Sequence, residues 1–78
     1  MAEKKQENIL VDLIYHDFEG GFWGMTDEKG RNWLPLNLDE SWVSKGNLKV
    51  LVSFKVNENI VSLIQWGKPV DIIKIREA

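Results

Sequence analysis

The chain has 78 residues with ten basic and twelve acidic side chains, which gives a formal net charge of −2 at pH 7. Proteins that bind duplex DNA usually carry a basic excess because phosphate contacts supply most of the affinity, so this balance argues against that class. The chain has no cysteine, which excludes disulfide bonds and thiolate metal sites. Its length is that of one domain, stabilised by aliphatic residues and four tryptophans.

The N-terminal residues are polar and of mixed charge. We expect a flexible leader over residues 1–7, followed by a single β-barrel domain over residues 8–77. The opening residues lack the pattern of a signal peptide, and the apolar runs along the chain are of strand length. We therefore expect a cytoplasmic protein that does not insert into a membrane.

The first half of the chain predicts three strands. Residues 9–16 are mostly aliphatic and β-branched, which is typical of a long buried strand. Two aromatic-rich segments, 21–26 and 31–35, flank the polar turn at residues 27–30. This pattern predicts a β-hairpin closed by Gly30, because glycine tolerates a positive φ. The glycines of the first arm indicate bulges or bends, as in a small closed barrel.

A short helix is predicted over residues 37–45. Asn37 and Glu40 form a capping-box pattern, and Gly46 favours a left-handed end to the helix. Leu38 and Trp42 are four residues apart, so we expect both to face the core.

The second half of the chain predicts two or three further strands. Residues 48–56 alternate most clearly, and the row expected to face inward is Leu48, Val50, Val52, Phe54 and Val56. Lys49, Ser53 and Lys55 are expected to face water. Further strands are predicted over residues 60–64 and 70–75. The fold class is therefore all-β, a small five- or six-stranded OB-like barrel with one short helix between strands three and four.

Two resemblances accompany this pattern. The order of elements resembles the OB-fold, a five-stranded Greek-key barrel, and the hairpin GFWGMTD with residues 30–35 resembles that of cold-shock domains. The second resemblance implies that Phe22 and Trp33 stack on single-stranded bases beside Arg31. Gly24 stands where that family carries a second exposed aromatic. The chain also resembles short proteins with a GGFWG…DG…LP.NL…WG pattern, which implies a fold and no particular activity.

Two kinds of binding function remain open. A ligand-binding module would take single-stranded nucleic acid or a sugar-like ligand on strands two and three. Phe22 and Trp33 would stack on it, while Arg31, Lys49 and Lys55 would meet phosphates. A protein-interaction or self-association module, such as a homodimer, would bury the same aromatics in an apolar interface. We predict a binding module and expect Trp33 to be partly exposed, with Trp66 in the core or at the barrel rim.

An enzyme is the least favoured class. His16 is the only histidine, and we interpret it as a strand-end residue at a turn. No spacing indicates a set of metal ligands, no motif places a nucleophile beside His16, and the glycines fit neither common phosphate-binding loop. We therefore predict no catalytic residue, no metal site and no cofactor.

Overall fold

The computed structural model describes residues 5–60 and 64–78. Its elements, in chain order, are β1 (Lys5–His16), β2 (Phe22–Asp27), β3 (Asn32–Pro35), α1 (Glu40–Val43), β4 (Leu48–Val56) and β5 (Lys68–Glu77). The strands close into a barrel in the order β1-β2-β3-β5-β4, with β4 pairing back onto β1. Only the β3–β5 pair is parallel among these neighbours. This architecture confirms the predicted small all-β barrel with a short helix between β3 and β4.

Strand β4 supplies the centre of the core. Val50, Val52 and Phe54 are almost completely buried and meet Leu13 of β1 and Met25 of β2 inside the barrel. The alternation predicted for this strand is therefore correct for its inner row. Burying one such side chain stabilises the fold by about 1.5–3 kcal/mol, so these contacts are a main source of stability.

The outer row of β4 contains one difference from the sequence-based expectation. Lys49 and Lys55 are exposed, as expected, but Ser53 is buried. The Ser53 hydroxyl accepts a hydrogen bond from the backbone N–H of Asn8 at 3.0 Å. Asn8 lies where the register of β1 shifts and has a φ of 49°, so a bulge in the neighbouring strand covers the serine.

The first and last strands also differ from their predicted bounds. Strand β1 begins at Lys5 and buries Gln6, so residues 5–7 belong to the barrel and not to a leader. The strand predicted over residues 60–64 falls largely on residues 61–63, which lie outside the described residues. The fifth strand of the barrel is β5, which starts earlier and ends later than predicted.

The segment between β3 and β4 runs along β5, on the same side of that strand as β3. The helix is a single turn, and its N-cap is Asp39 and not Asn37. Asn37 instead bonds the backbone of Ile72, accepting from its N–H at 2.7 Å and donating to its carbonyl at 3.1 Å. Lys45 forms an ion pair with Glu77 at 2.8 Å. The segment is thereby fastened to β5 at both ends.

Two predictions about this helical segment are confirmed. Leu38 and Trp42 are partly buried and pack against the core. Gly46 has a φ of 82°, the left-handed conformation expected after a helix end.

Candidate ligand-binding cleft

The register of the hairpin places the two predicted stacking residues on opposite sides of the sheet. Trp33 lies opposite Met25, and both belong to the core inside the barrel. Phe22 is three positions from Met25 on the same strand, so it faces outward, where it lies opposite His16. Phe22 and Trp33 therefore cannot form one stacking platform.

The expectation that Trp33 is partly exposed is wrong. Only 4% of the residue is exposed, and its ring centroid lies 4.8 Å from that of Phe54. The indole Nε1–H donates to Oδ2 of Asp27 at 3.0 Å, so the one polar atom of the side chain has a buried partner. This acceptor is the physical reason that the indole can face inward.

Asp27 organises the hairpin turn through hydrogen bonds to both carboxylate oxygens. Oδ1 accepts from the backbone N–H groups of Lys29 and Arg31, each at 2.9 Å, and Oδ2 accepts from Trp33 and, at 2.7 Å, from Nε of Arg31. Burial raises the pKa of Asp27, but the hydrogen bonds from Trp33, Arg31 and Lys29 favour the charged form and lower it below 3.8. Arg31 lies beside Trp33 as predicted, yet its contacts are those of a structural partner.

The two lysines predicted to meet phosphates lie far from Phe22 in the sheet order. Both are on the outer face of β4, which is separated from β2 by β1. Lys49 pairs with Asp12 at 2.8 Å, and this hydrogen bond raises the pKa of Lys49. Lys55 lies between Lys5 of β1 and Asp71 of β5 in the register. The structure therefore does not bring these lysines together with the predicted stacking residues.

Four rings instead meet on the outer face at the end of β1. We call His16, Phe18, Phe22 and Trp66 the aromatic cluster. The His16 ring stacks on Phe22 with centroids 5.0 Å apart, and Trp66 lies 4.6 Å from His16 and 5.4 Å from Phe22. Phe18 stands edge-on to Phe22 at 5.1 Å.

Gly24 is what allows Trp66 to approach the sheet. A Cβ atom at this position would overlap the indole ring of Trp66 and would also touch the His16 ring. The indole therefore covers part of the outer face of β2, which is the surface that the cold-shock resemblance assigns to stacked bases.

A cleft of about 300 Å³ opens beside the aromatic cluster. The described residues that line it are Phe18, Glu19, Ile64, Gln65 and Trp66. Phe18 is 50% exposed, while Trp66 is half-buried, so the cleft has two aromatic walls of which one is open to solvent.

The loop that carries Phe18 has a constrained backbone. Glu19, Gly20 and Gly21 are consecutive left-handed residues, with φ values of 53°, 83° and 89°. A side chain in this conformation costs about 1–2 kcal/mol, so glutamate at position 19 is unfavourable for stability. Backbone strain of this kind is common at functional sites, and Glu19 lines the cleft.

His16 contributes a buried polar atom to the cluster. It is the last residue of β1, and within residues 5–60 and 64–78 no hydrogen-bond partner reaches its Nε2 atom. The same described ranges contain no group of three or more histidine, aspartate or glutamate residues placed to hold a metal ion.

The cleft was missed by the sequence analysis because it depends on contacts between distant segments. The β1–β2 loop supplies Phe18 and the segment before β5 supplies Trp66. The register of β1 and β2 places Phe22 opposite His16, and the pairing of β5 with β3 brings the Trp66 segment to these two rings. One signal was present in the sequence. Gly24 interrupts an otherwise aromatic strand, and a glycine in a strand often marks the close approach of another part of the chain.

Fold and site together define a small closed β-barrel with an aromatic cleft at its rim. Comparisons with family models, curated proteins and solved structures give no match to the chain. Among the described residues, no helix combines the length and the apolar composition needed to cross a membrane.

Proposed function

We propose that this protein is a non-enzymatic binding module whose ligand is a sugar-like ring held in the cleft beside Phe18. The observation that carries the proposal is the position of the Phe18 ring, which is half exposed at the cleft wall yet fixed edge-on against Phe22. A ring already held in place loses little conformational freedom on binding, so its contact area converts efficiently into affinity.

The remaining wall groups suit an uncharged ligand with hydroxyl groups. Small-molecule sites combine apolar and aromatic walls with a few polar groups that fix orientation. Glu19 offers hydrogen-bond acceptors, and Gln65 offers both a donor and acceptors. The carboxylates of Asp17 and Glu19 flank Phe18 in the loop and would repel a phosphate. A neutral sugar-like ring therefore fits this cleft better than the backbone of a nucleic acid.

The place of the cleft in the fold supports the same proposal. OB-like barrels bind oligonucleotides and oligosaccharides on strands two and three and at the loops between strands one and two and strands four and five. Here the cleft lies between the β1–β2 loop and residues 64–66, which precede β5.

The test is a titration of the isotopically labelled protein with neutral oligosaccharides, followed at the backbone amides of residues 17–21 and 64–67. We expect Phe18→Ala to weaken binding about tenfold, because an aromatic contact is worth about 0.5–1.5 kcal/mol beyond its buried area. Ile73→Ala is the matched control, since Ile73 is 58% exposed on a different surface. The proposal is wrong if Phe18→Ala binds as well as the wild type, or if only nucleosides shift these amides.

A second candidate is self-association, which the exposed apolar residues beside α1 favour. Leu36, Val43 and Ile73 are all exposed, and the Asn37–Ile72 contact places the segment that carries Leu36 beside the part of β5 that carries Ile73. Exposed apolar patches of this kind can mark protein interfaces. Sedimentation of Ile73→Asp against the wild type tests it. A homodimer through this patch should dissociate in the variant, and an unchanged monomer in both proteins excludes it.

A further inference from the structure

We infer that the outer face of β1, β4 and β5 binds the phosphate backbone of a single-stranded nucleic acid. This face and the cleft of the proposed function have no residue in common, so the inference stands or fails separately. It rests on the spacing of four cations along two paired strands, on the lack of an ion pair at three of them and on the bulge that orients two of them.

The outward residues of β4 lie at four successive positions along the strand, and we call each position, together with the residue of β5 opposite it, a level. On β4 these levels are residues 49, 51, 53 and 55, since Val50, Val52 and Phe54 face the core. Across the pair, Ser53 lies opposite Lys74 and Leu51 lies opposite Arg76. Each level therefore carries one cation from one strand or the other, in the order Lys55, Lys74, Arg76, Lys49.

The spacing of these levels suits a repeating anion. Outward residues of a strand are two positions apart, which is about 7 Å. This distance is comparable to the separation of successive phosphates in an extended single strand. The four levels together therefore offer a cation to each of several consecutive phosphates.

A bulge in β5 is responsible for the orientation of two of the cations. Val70 and Ile72 face the core, so a regular strand would also turn Lys74 and Arg76 inward. The register shifts between Ser53 and Phe54, which leaves Ile73 as the extra residue of β5. Beyond this bulge the alternation is reversed, so that Ile75 packs on the core and both cations are exposed.

Most of these cations have no ionic partner. Lys49 is paired with Asp12, whereas Lys55, Lys74 and Arg76 form no ion pair within residues 5–60 and 64–78. The face has five of the ten basic residues of the chain, namely Lys5, Lys49, Lys55, Lys74 and Arg76. Of the twelve acidic residues, Glu7, Asp12 and Asp71 lie on this face, and Glu28 of the hairpin turn lies close enough to Lys49 to help raise the pKa of that lysine. A basic face on an acidic protein is the charge distribution that a polyanion recognises.

The chemistry of the face also predicts the kind of binding. Its centre is a pair of half-buried leucines, Leu10 opposite Leu51, and the register places no aromatic ring between the cations. Without groups that read base edges, binding should depend little on base sequence. It should depend strongly on salt, because each neutralised phosphate releases counterions.

The experiment measures the fluorescence anisotropy of an end-labelled oligothymidylate over a series of salt concentrations. With four phosphates neutralised, we expect a slope of about −3 in log K against log salt. The double variant Lys74→Gln with Arg76→Gln should bind at least about tenfold more weakly, and its slope should be smaller in size by roughly 1.4. Lys45→Gln with Lys68→Gln is the matched control, because Lys45 lies over Trp42 beside α1 and Lys68 lies opposite Trp33 in the β3–β5 pair. The control therefore removes two exposed cations away from this face and gives the same net charge.

Each result has a defined meaning. The inference is overturned if the wild type does not bind the oligonucleotide at low salt, or if both double variants lose affinity equally. It is also overturned if polyglutamate or anionic vesicles displace the labelled oligonucleotide as well as unlabelled nucleic acid does. The face would then bind any polyanion and would not be specific for nucleic acid. Phe18→Ala should bind the oligonucleotide as the wild type does. If this variant does not bind, the nucleic acid occupies the cleft and the inference is overturned. Thermal melts of all variants confirm that they are folded.

Discussion

The indole Nε1–H of Trp33 donates to Oδ2 of Asp27 at 3.0 Å, inside the barrel and at the end of the hairpin. This bond joins an aromatic core residue to a charged turn residue that is only 8% exposed. It explains why an acidic side chain is tolerated at a buried position, since four donors surround its two oxygens. It also removes Trp33 from any external surface.

Asp27→Asn should destabilise the protein by about 2–3 kcal/mol at neutral pH. Both oxygens of the carboxylate accept hydrogen bonds, whereas the side-chain NH₂ group of asparagine would face N–H donors at one of these positions. The lowered pKa of Asp27 means that its contribution is present above the ordinary pKa of 3.8 and is lost as the pH falls through the folded-state value. The difference in unfolding free energy between wild type and variant should therefore shrink below about pH 4. Urea denaturation at neutral and acidic pH measures it, with Glu28→Gln as an exposed control. A difference that does not change with pH would contradict this account.

The barrel could be predicted from local patterns, whereas the faces of the hairpin could not. The apolar row of β4 recurs at every second residue in the sequence, so the inner face of this strand follows from the period of a strand. The hairpin is apolar on both sides, and the pattern alone does not decide which side faces the core. That choice depends on the buried acceptor that Asp27 provides for Trp33, which is a contact between side chains and not a pattern.

The cleft and the basic face depend on long-range structure in different ways. Phe18 and Trp66 are distant in the chain, and only the closed barrel brings their segments together. Lys74 and Arg76 continue the two-residue spacing of the core residues Val70 and Ile72, so in a regular strand their side chains would face the core. The bulge at Ile73 reverses this, and no turn residue such as glycine marks its position.

The two rows of β4 should respond differently to substitution. Val52→Ala or Phe54→Ala should destabilise the protein by about 2–5 kcal/mol, because each leaves a cavity in the core. Lys49→Ala or Lys55→Ala should change stability by less than about 1 kcal/mol, since both lysines are exposed. Thermal melts of the four variants measure this. Equal losses in both rows would mean that the inner and outer faces are reversed.

Asn37 should stabilise the β3–β5 edge although it is exposed. The backbone N–H of Leu36 donates to the carbonyl of Val70 at 2.9 Å, and the Asn37 side chain extends this pairing to both polar groups of Ile72. Asn37→Ala should therefore cost about 1 kcal/mol and increase hydrogen exchange at the Ile72 amide. Asn37→Asp should not restore the loss, because its carboxylate would face the Ile72 carbonyl. Unchanged protection of that amide in Asn37→Ala would show that the side-chain contact is not maintained in solution.

Gly24 should be required because of Trp66 and not because of its own backbone. Its φ lies outside the left-handed region, so alanine suits the backbone, but the added Cβ would overlap the indole ring. Gly24→Ala should thus displace Trp66 at a cost of about 1–3 kcal/mol, the range for overpacking, and should alter the ring-current shifts of His16. In a Trp66→Ala background the same substitution should cost much less, since only the contact with the His16 ring remains and alanine loses less conformational entropy than glycine on folding. Urea denaturation of the wild type, both single variants and the double variant gives the coupling energy directly. An equal cost of Gly24→Ala in both backgrounds would mean that the indole does not rest on this strand, and the aromatic wall of the cleft would then consist of Phe18 alone.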